Sequence, residues 1–336
     1  MNAAQRLLIV IPCLNEEAHL PVLLDRLCAD QATEGARIVV ADGGSTDRSI
    51  EIVRARAQID ARVTLLPNPA RRQGAGVNLA NTQYADESEF FIRIDAHAAY
   101  PENFLSRLIA AQRETGADSV TVSMRALADA GACFQRAAAC AQNSALGTGG
   151  SAHRKGGARG WVDHGHHALF RVAAFRAVDG YDESFTHNED AELDARIVAN
   201  GGKILLAADI VIDYFPRANP VALARQYYNY GRGRARTILK HRALLKLRQL
   251  VPIPVAPCVL VALLWPLSGW FALPFLAWLG LCLGYGALLG SRERDPCAAF
   301  SGVAAAVMHS AWSAGFCIEV LSRLRPAAAS RQPAAS

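Results

Sequence analysis

Ile38-Val39-Val40-Ala41-Asp42-Gly43-Gly44-Ser45-Thr46-Asp47 is a short β-branched run that ends in a carboxylate and a glycine turn. Behind the turn, Ile50, Val53 and Ala57 recur at helical spacing, and Ser45 or Thr46 is expected to cap the helix that carries them. A strand, a tight turn and an amphipathic helix make half of a βαβ unit, which places the strand in a parallel sheet. The pattern repeats outward in both directions. Upstream, Leu7-Leu8-Ile9-Val10-Ile11 precedes Leu20, Leu23, Leu24 and Leu27 at helical spacing, with Pro21 tolerable in a first turn. Downstream, Val63–Leu66, Phe90–Ile94 and Ser119–Met124 are the next strand candidates. Residues 7–215 therefore read as an α/β domain built on a mostly parallel sheet.

The chain has 336 residues, 51% of them hydrophobic and 19% charged, which is ample material for a packed core. Thirty-five Lys and Arg against 30 Asp and Glu leave a net charge of +5, too weak to indicate a nucleic-acid partner. Eight cysteines without a CxxC pair argue against a zinc ribbon, a thioredoxin-like site or a disulfide-stapled secreted domain. The apolar run after Arg6 is too short for a signal peptide, so the front of the protein is expected to stay in the cytoplasm.

Charge is distributed unevenly. From Tyr214 to Arg292 there is no Asp or Glu, and Arg225, Arg232, Arg234, Arg236, Lys240, Arg242, Lys246 and Arg248 crowd the first half of that window. Val251–Gly290 then carries no charged side chain and is broken near its middle by Pro266-Leu267-Ser268-Gly269. A membrane span needs about 20 apolar residues, so this run is expected to form two spanning helices and a tight hairpin. The basic segment before it fits the positive-inside rule, and Ser291–Asp295 would return to the cytoplasm. Ala298–Ile318 is long enough to span, but His309, Ser310 and Ser313 leave spanning and packing on its neighbours equally open. The expected division is a catalytic domain over 1–215, a basic juxtamembrane segment over 216–250, membrane helices over 251–322 and a disordered tail over 323–336.

Three places can carry chemistry. Asp42 and Asp95 each follow a strand, and in an open α/β sheet ligands bind outside the carboxyl ends of strands, so both acids are expected at one crevice. Asp95-Ala96-His97 places a carboxylate and an imidazole two apart, on one side of extended backbone, a donor pair that suits Mg²⁺ or Mn²⁺ held against phosphate oxygens. Glu189 and Asp190 open a helix, where acids either complement the dipole or accept a proton from a hydroxyl. Arg71–Asn78 is a basic, glycine-bearing loop before a helix that suits an anion. It lacks the third glycine of a dinucleotide fingerprint, Gly202-Lys203 is no P-loop, and His164-Gly165-His166-His167 lacks the spacing of a zinc site.

In order, these motifs resemble family 2 glycosyltransferases of GT-A fold. Pro12-Cys13-Leu14-Asn15-Glu16-Glu17 looks like the opening loop of that family, Asp42–Asp47 like its DDGSTD segment, Gly76-Val77-Asn78 like its GxxxN region and Asp95-Ala96-His97 like its D-x-D. Gly180-Tyr181-Asp182-Glu183 and Glu189-Asp190 stand where the family has GG(F/Y)DE and its ED pair. Arg93–His97 and Gln226–Arg234, followed by an apolar C-terminal region, look most like succinoglycan-type exopolysaccharide glucosyltransferases. The resemblance implies an inverting, metal-dependent hexosyltransferase at the inner (plasma) membrane, with its catalytic domain cytoplasmic. It would transfer a sugar, glucose by analogy, from a UDP-sugar to a hydroxyl of a polyprenyl-diphosphate-linked oligosaccharide. Donor contacts would come from Pro12, Asn15, Glu17, Asp42, Asn78 and Asp95, metal ligation from Asp95 and His97, and the general base would be Asp190. Glu189, Gln226, Tyr230, Arg232 and Arg234 would meet the acceptor or its lipid phosphate.

The sequence departs from the family in three places: Ala41 replaces one acid of the DDG pair, His97 replaces the second acid of D-x-D, and Asn229-Tyr230 stand where processive synthases have Arg and Trp. The last argues for addition of a single sugar. Two rival readings are a polyprenyl-phosphate sugar transferase and a non-catalytic membrane scaffold retaining the fold.

Overall fold

The structure, a computed structural model, describes residues 7–128, 131–151, 154 and 158–324. β1 (Leu7–Cys13), β2 (Arg37–Asp42), β3 (Val63–Pro67) and β4 (Phe90–Arg93) run parallel. β5 (Ser119–Ala126) is parallel to β8 (Ile204–Tyr214), whereas β6 (Gly160–Val162) lies antiparallel on β8. β7 (His166–Arg171) inserts antiparallel between β4 and β5, giving one sheet in the order β3-β2-β1-β4-β7-β5-β8-β6. The sheet expected to be mostly parallel is so, with β6 and β7 the reversed strands.

Between the first strands run α1 (Leu20–Ala29), α2 (Ser49–Ile59), α3 (Gln73–Tyr84) and α4 (Phe104–Thr115). After β5 come α5 (Cys133–Asn143) and α6 (Ala145–Thr148), then α7 (Val172–Arg176) and α8 (Glu189–Ala199). Successive residues of β1 point to opposite faces. Leu7, Ile9 and Ile11 pack with Leu23 and Leu24 of α1, Val53 of α2 and Leu105 of α4. Leu8 and Val10 pack with Val77 of α3, Phe175 of α7 and Leu193 of α8. Burial on both faces explains the continuous apolar strands, each such side chain contributing about 1.5–3 kcal/mol. α2 starts later than expected, with Arg48 at its N-cap and no side-chain cap. The Ser45 hydroxyl is engaged instead by Asp42 and by the backbone N–H of Asn15.

The C-terminal region is helical: α9 (Pro220–His241), α10 (Leu247–Leu250), α11 (Val255–Ala262), α12 (Leu273–Glu293), α13 (Pro296–Ala299) and α14 (Ser301–Leu324). Here the expected pair of spanning helices within Val251–Gly290 is corrected. Among the described residues, only Gly269–Glu293 and Pro296–Leu324 are long and apolar enough to cross a membrane. At 1.5 Å per residue α11 measures about 12 Å, less than half of a hydrocarbon core. The physical reason is proline: Pro252, Pro254, Pro257 and Pro266 interrupt the first half of the run, removing backbone donors and clashing with the preceding turn.

The two long helices differ in surroundings, α12 with 11% of its apolar window buried and α14 with 39%. α14 lies along α9, where Gly231 faces the carbonyl of Trp312 and Gly315 that of Tyr228 so closely that no Cβ fits at either glycine. Near its C-terminal end, Glu319 is 3% exposed and accepts from Arg232 at 3.0 Å. The open choice for Ala298–Ile318 thus has a structural answer in one respect: this helix packs on α9 and α5. A disulfide joins Cys133 of α5 to Cys297 of α13, and Arg136 pairs with Asp295 at 2.5 Å beside it. That bridge was not foreseen, because cysteines 164 residues apart cannot be paired from spacing. The expected tail lies beyond Leu324, outside the described residues except for its first two positions.

Candidate active site

The carboxyl ends of β1, β2 and β4 build one crevice. Asp42 is level with Cys13 on β1, and Arg93 with Val10 on the other side of it. Asp42 and the residues just past β4 therefore stand two strand spacings apart, about 10 Å. The loops after β1 and β2 are laced together. Asn15 Oδ1 accepts from the Thr46 N–H at 2.8 Å, and the Asn15 N–H donates to Ser45 Oγ at 2.9 Å. Glu17 and Asp47 exchange bonds with each other's loop: the Glu17 N–H donates to Asp47 and the Arg48 N–H to Glu17, each at 3.0 Å. Asp42 accepts the Gly44 N–H at 2.8 Å and the Ser45 N–H at 3.1 Å. Asn15, Glu17 and Asp42, expected as donor contacts, thus first shape the rim; Pro12, half-buried, ends β1 beneath them.

Across the crevice, Tyr181 is seated against Phe175 and Phe170, with ring centroids 5.6 and 6.4 Å away. Gly180 before it has φ +64 and abuts Asn78 Oδ1, so only glycine serves there. Asn78 accepts the Tyr181 N–H at 2.8 Å and donates to the Tyr181 carbonyl at 2.9 Å and to Glu183 at 3.0 Å. Asn78, expected among the donor contacts, thus anchors the 181–183 loop.

The centre of the site is a residue with no role among the sequence-based expectations. Arg93 is 6% exposed; its Nη1 donates to Asp190 Oδ1 at 2.9 Å and to the Tyr181 hydroxyl at 3.1 Å, while its Nε meets Asp95 Oδ1 at 3.3 Å. The Tyr181 hydroxyl in turn donates to Asp190 Oδ1 at 2.9 Å, and Gln73 Nε2 to Asp95 at 2.9 Å. Burial alone would raise the Asp95 pKa, but the Arg93 cation, then His166 and His97, hold it below the ordinary carboxylate range. One buried guanidinium thus ties the acid after β4 to the acid that opens α8. A signal was available: an arginine inside an apolar strand, Phe90–Ile94, is costly unless paired.

Beside this pair, burial and the neighbouring Asp190 charge push Glu189 up to about 7, with Arg93 opposing. A carboxyl whose folded pKa lies above its ordinary 4.5 stabilises the fold fully below that value, and the contribution is lost as pH rises towards about 7. Glu189→Gln should therefore gain stability relative to the parent between those two values and keep a constant difference at higher pH. Urea unfolding of both proteins at pH 5, 6, 7 and 8 measures it; a difference independent of pH would refute the assignment.

Among the described residues no group of three His, Cys, Asp or Glu side chains is arranged to hold a metal. Asp95 and His97 do not share a strand face, because β4 ends at Arg93 and the chain then turns. His97 is drawn away, its Nδ1 2.8 Å from Glu16 Oε1, and that bond raises its pKa against the effect of burial. The imidazole nearest Asp95 is instead His166 of β7, with Nε2 3.8 Å from Oδ2. A carboxylate with an adjacent imidazole fits a Mg²⁺ or Mn²⁺ ion whose remaining ligands come from a diphosphate and water. His166 escaped the sequence reading because strand pairing, not spacing, brings β7 beside β4.

The expected acceptor residues divide. Arg232 is committed to Glu319, and Gln226 Nε2 donates to the Tyr230 hydroxyl at 2.9 Å. Tyr230 and Arg234 line a recess that reaches Asn188, the residue before Glu189. α8 is fastened to α9 through Glu192, fully buried, which accepts from Lys240 at 2.7 Å and lies 2.9 Å from His241 Nε2.

Residues 8–178 match the family model described as Glycosyl transferase family 2. The chain is 50% identical over 315 residues to the succinoglycan biosynthesis protein ExoA of Rhizobium meliloti (strain 1021), and the match covers 94% of each. A shorter match, 35% identical over 107 residues, joins it to the undecaprenyl-phosphate 4-deoxy-4-formamido-L-arabinose transferase of Aeromonas hydrophila, over 31% of this chain and 32% of that one. Among solved structures, the mannosyltransferase PcManGT from Pyrobaculum calidifontis in complex with GDP-Man and Mn²⁺ is similar at a TM-score of 0.59 and 17% identity. That similarity covers 95% of this chain and 88% of the other, and is one of fold.

Proposed function

The chain belongs to glycosyl transferase family 2 and has the GT-A fold, and from that premise we propose that it is an inverting transferase of exopolysaccharide synthesis. Its donor is a UDP-sugar, a glucose donor by the resemblance of its motifs to exopolysaccharide glucosyltransferases, and its acceptor a hydroxyl of a polyprenyl-diphosphate-linked oligosaccharide. The observation that supports the reading is the Arg93 bridge, which brings Asp95 and Asp190 together on one guanidinium.

The residues divide the work as follows. The interlaced Asn15–Glu17 and Asp42–Asp47 loops form the rim for the nucleoside. Asp95 with His166, or with His97 once released from Glu16, would hold a divalent cation, which neutralises the charge developing on the departing diphosphate. Asp190 takes the proton of the acceptor hydroxyl as that oxygen bonds to the anomeric carbon and the bond to the UDP oxygen breaks on the far face. An α-linked donor so gives a β-glycoside. Arg93 and Tyr181 fix the Asp190 carboxylate, which leaves the acceptor a defined direction of approach.

Membrane attachment is part of the proposal: α12 is the candidate span, α14 being packed on α9 and α5, and the basic α9 at the cytosolic face carries the catalytic domain. The test is to supply membranes containing the protein with single UDP-sugars and Mn²⁺ and to separate labelled, organic-extractable products. One UDP-sugar should label a lipid-linked product, and chelation should abolish the labelling. Transfer from a GDP-sugar alone, or transfer indifferent to chelator, would overturn the reading. A polyprenyl-phosphate acceptor, to which the shorter Aeromonas match points, needs little deprotonation; that alternative predicts that Asp190→Asn remains active.

A further inference from the structure

Behind the α8 N-terminus lies a recess of about 660 Å³ whose lining the catalytic chemistry does not use. Its lining includes Asn188, which precedes Glu189 and Asp190, and Val251 and Pro252, where the apolar run begins. Three guanidinium groups, from Arg154, Arg234 and Arg248, share that lining. Cations in such a place require anionic company. Asp194 and Asp163, whose charges favour the Arg234 cation, each have another partner: Asp194 lies 2.7 Å from the His164 ring nitrogen, and Asp163 binds Lys246.

Among the described residues, Arg154 Nη1 is buried without a hydrogen-bond partner, while its guanidinium lies 4.6 Å from the Tyr214 ring centroid. Burial, reinforced by the Arg248 cation, pulls Arg234 down to about 10, with Asp194 and Asp163 opposing. The lining also has an apolar part, with Leu146, Met308 and Trp312.

The recess thus brings three guanidinium groups and an apolar wall to the residue next to the proposed base. An acceptor sugar on an isoprenoid diphosphate combines a hydroxyl, paired phosphates and hydrocarbon, the groups that such a lining suits. The geometry points to this recess as the seat of the acceptor's diphosphate, with Arg154, Arg234 and Arg248 on the phosphate oxygens and the isoprenoid leaving past Trp312 and Val251. Guanidinium groups suit this role because their fork of donors matches phosphate oxygens bidentately. The inference rests on the lipid-linked acceptor proposed above and adds where its anionic linker binds. It also separates the basic residues of α9, since Arg232 answers Glu319 and Arg236 packs on Phe185 with its guanidinium 4.4 Å from the ring centroid.

The test uses the full chain in detergent and three probes: geranylgeranyl diphosphate, geranylgeranyl monophosphate and inorganic diphosphate. Geranylgeranyl diphosphate should bind saturably and at least tenfold tighter than either other probe. Arg234→Gln and Arg248→Gln should each weaken it at least tenfold, with Mn²⁺-dependent UDP binding unchanged as the sign of an intact fold. Arg232→Gln should have little effect. No saturable binding, equal binding by the parent and by either recess variant, or inorganic diphosphate as the tightest probe would each overturn the assignment. The readout is independent of turnover. Arginine-dependent binding without lipid-linked product from any UDP-sugar would defeat the functional proposal alone, whereas product formation with arginine-insensitive binding would defeat only this one.

Discussion

Asp190→Asn should lower kcat for a hydroxyl acceptor by about 10²–10⁴, the usual contribution of a general base, while the affinity for UDP stays unchanged. The amide keeps the volume of the carboxylate and can still accept from Arg93 and the Tyr181 hydroxyl, which sit 2.9 Å from Oδ1. What it loses is the ability to take a proton. Kinetics with a saturating acceptor, alongside calorimetry with UDP and Mn²⁺, separate the two effects. Wild-type turnover in the variant would remove Asp190 from the chemistry and leave its neighbour Glu189, pushed up to about 7, as the better proton acceptor.

Arg93→Met should be the most damaging single change to stability, about 3–5 kcal/mol, because it leaves two buried carboxylates facing each other without their shared cation. Asp95 and Asp190 have side chains only 19% and 18% exposed, so water cannot replace the guanidinium. Its loss should also undo the depression of the Asp95 pKa. A carboxyl held below its ordinary value contributes stability at higher pH that is lost as pH falls through the folded value. The parent's advantage over the variant should therefore shrink on acidification below the ordinary carboxylate range. Arg93→Lys keeps the charge but offers one compact ammonium in place of a fork. It should fold better than the methionine variant yet still lose transfer, since it cannot hold both acids at once. Denaturant unfolding across pH, with transfer measured on the folded fraction, decides the matter; an Arg93→Met protein as stable and active as the parent would refute the bridge.

The catalytic half was legible because its code is local. Alternating apolar runs, a turn of Asp42-Gly43-Gly44-Ser45 and leucines at helical spacing identify strand, turn and helix within ten residues of one another. The membrane half was less so. Mean hydropathy registers forty uncharged residues, yet three prolines within Pro252–Pro257 decide that the first of them cannot make a long helix. Asn78 illustrates a different limit: a polar residue in a recognised motif can serve the scaffold, and only its partners show that it does.

What the sequence determined by itself is the class of fold and the strand ends at which Asp42 and Asp95 stand, since each follows from patterns shorter than about a dozen residues. Tertiary structure alone decided which groups meet. Arg93 reaches Asp190 across 97 positions, His166 displaces His97 as the imidazole beside Asp95, and Arg154 joins Arg234 in the recess. Such pairings depend on strand order and helix packing, and those are set by burial summed over the whole chain, a quantity that no short stretch of residues contains.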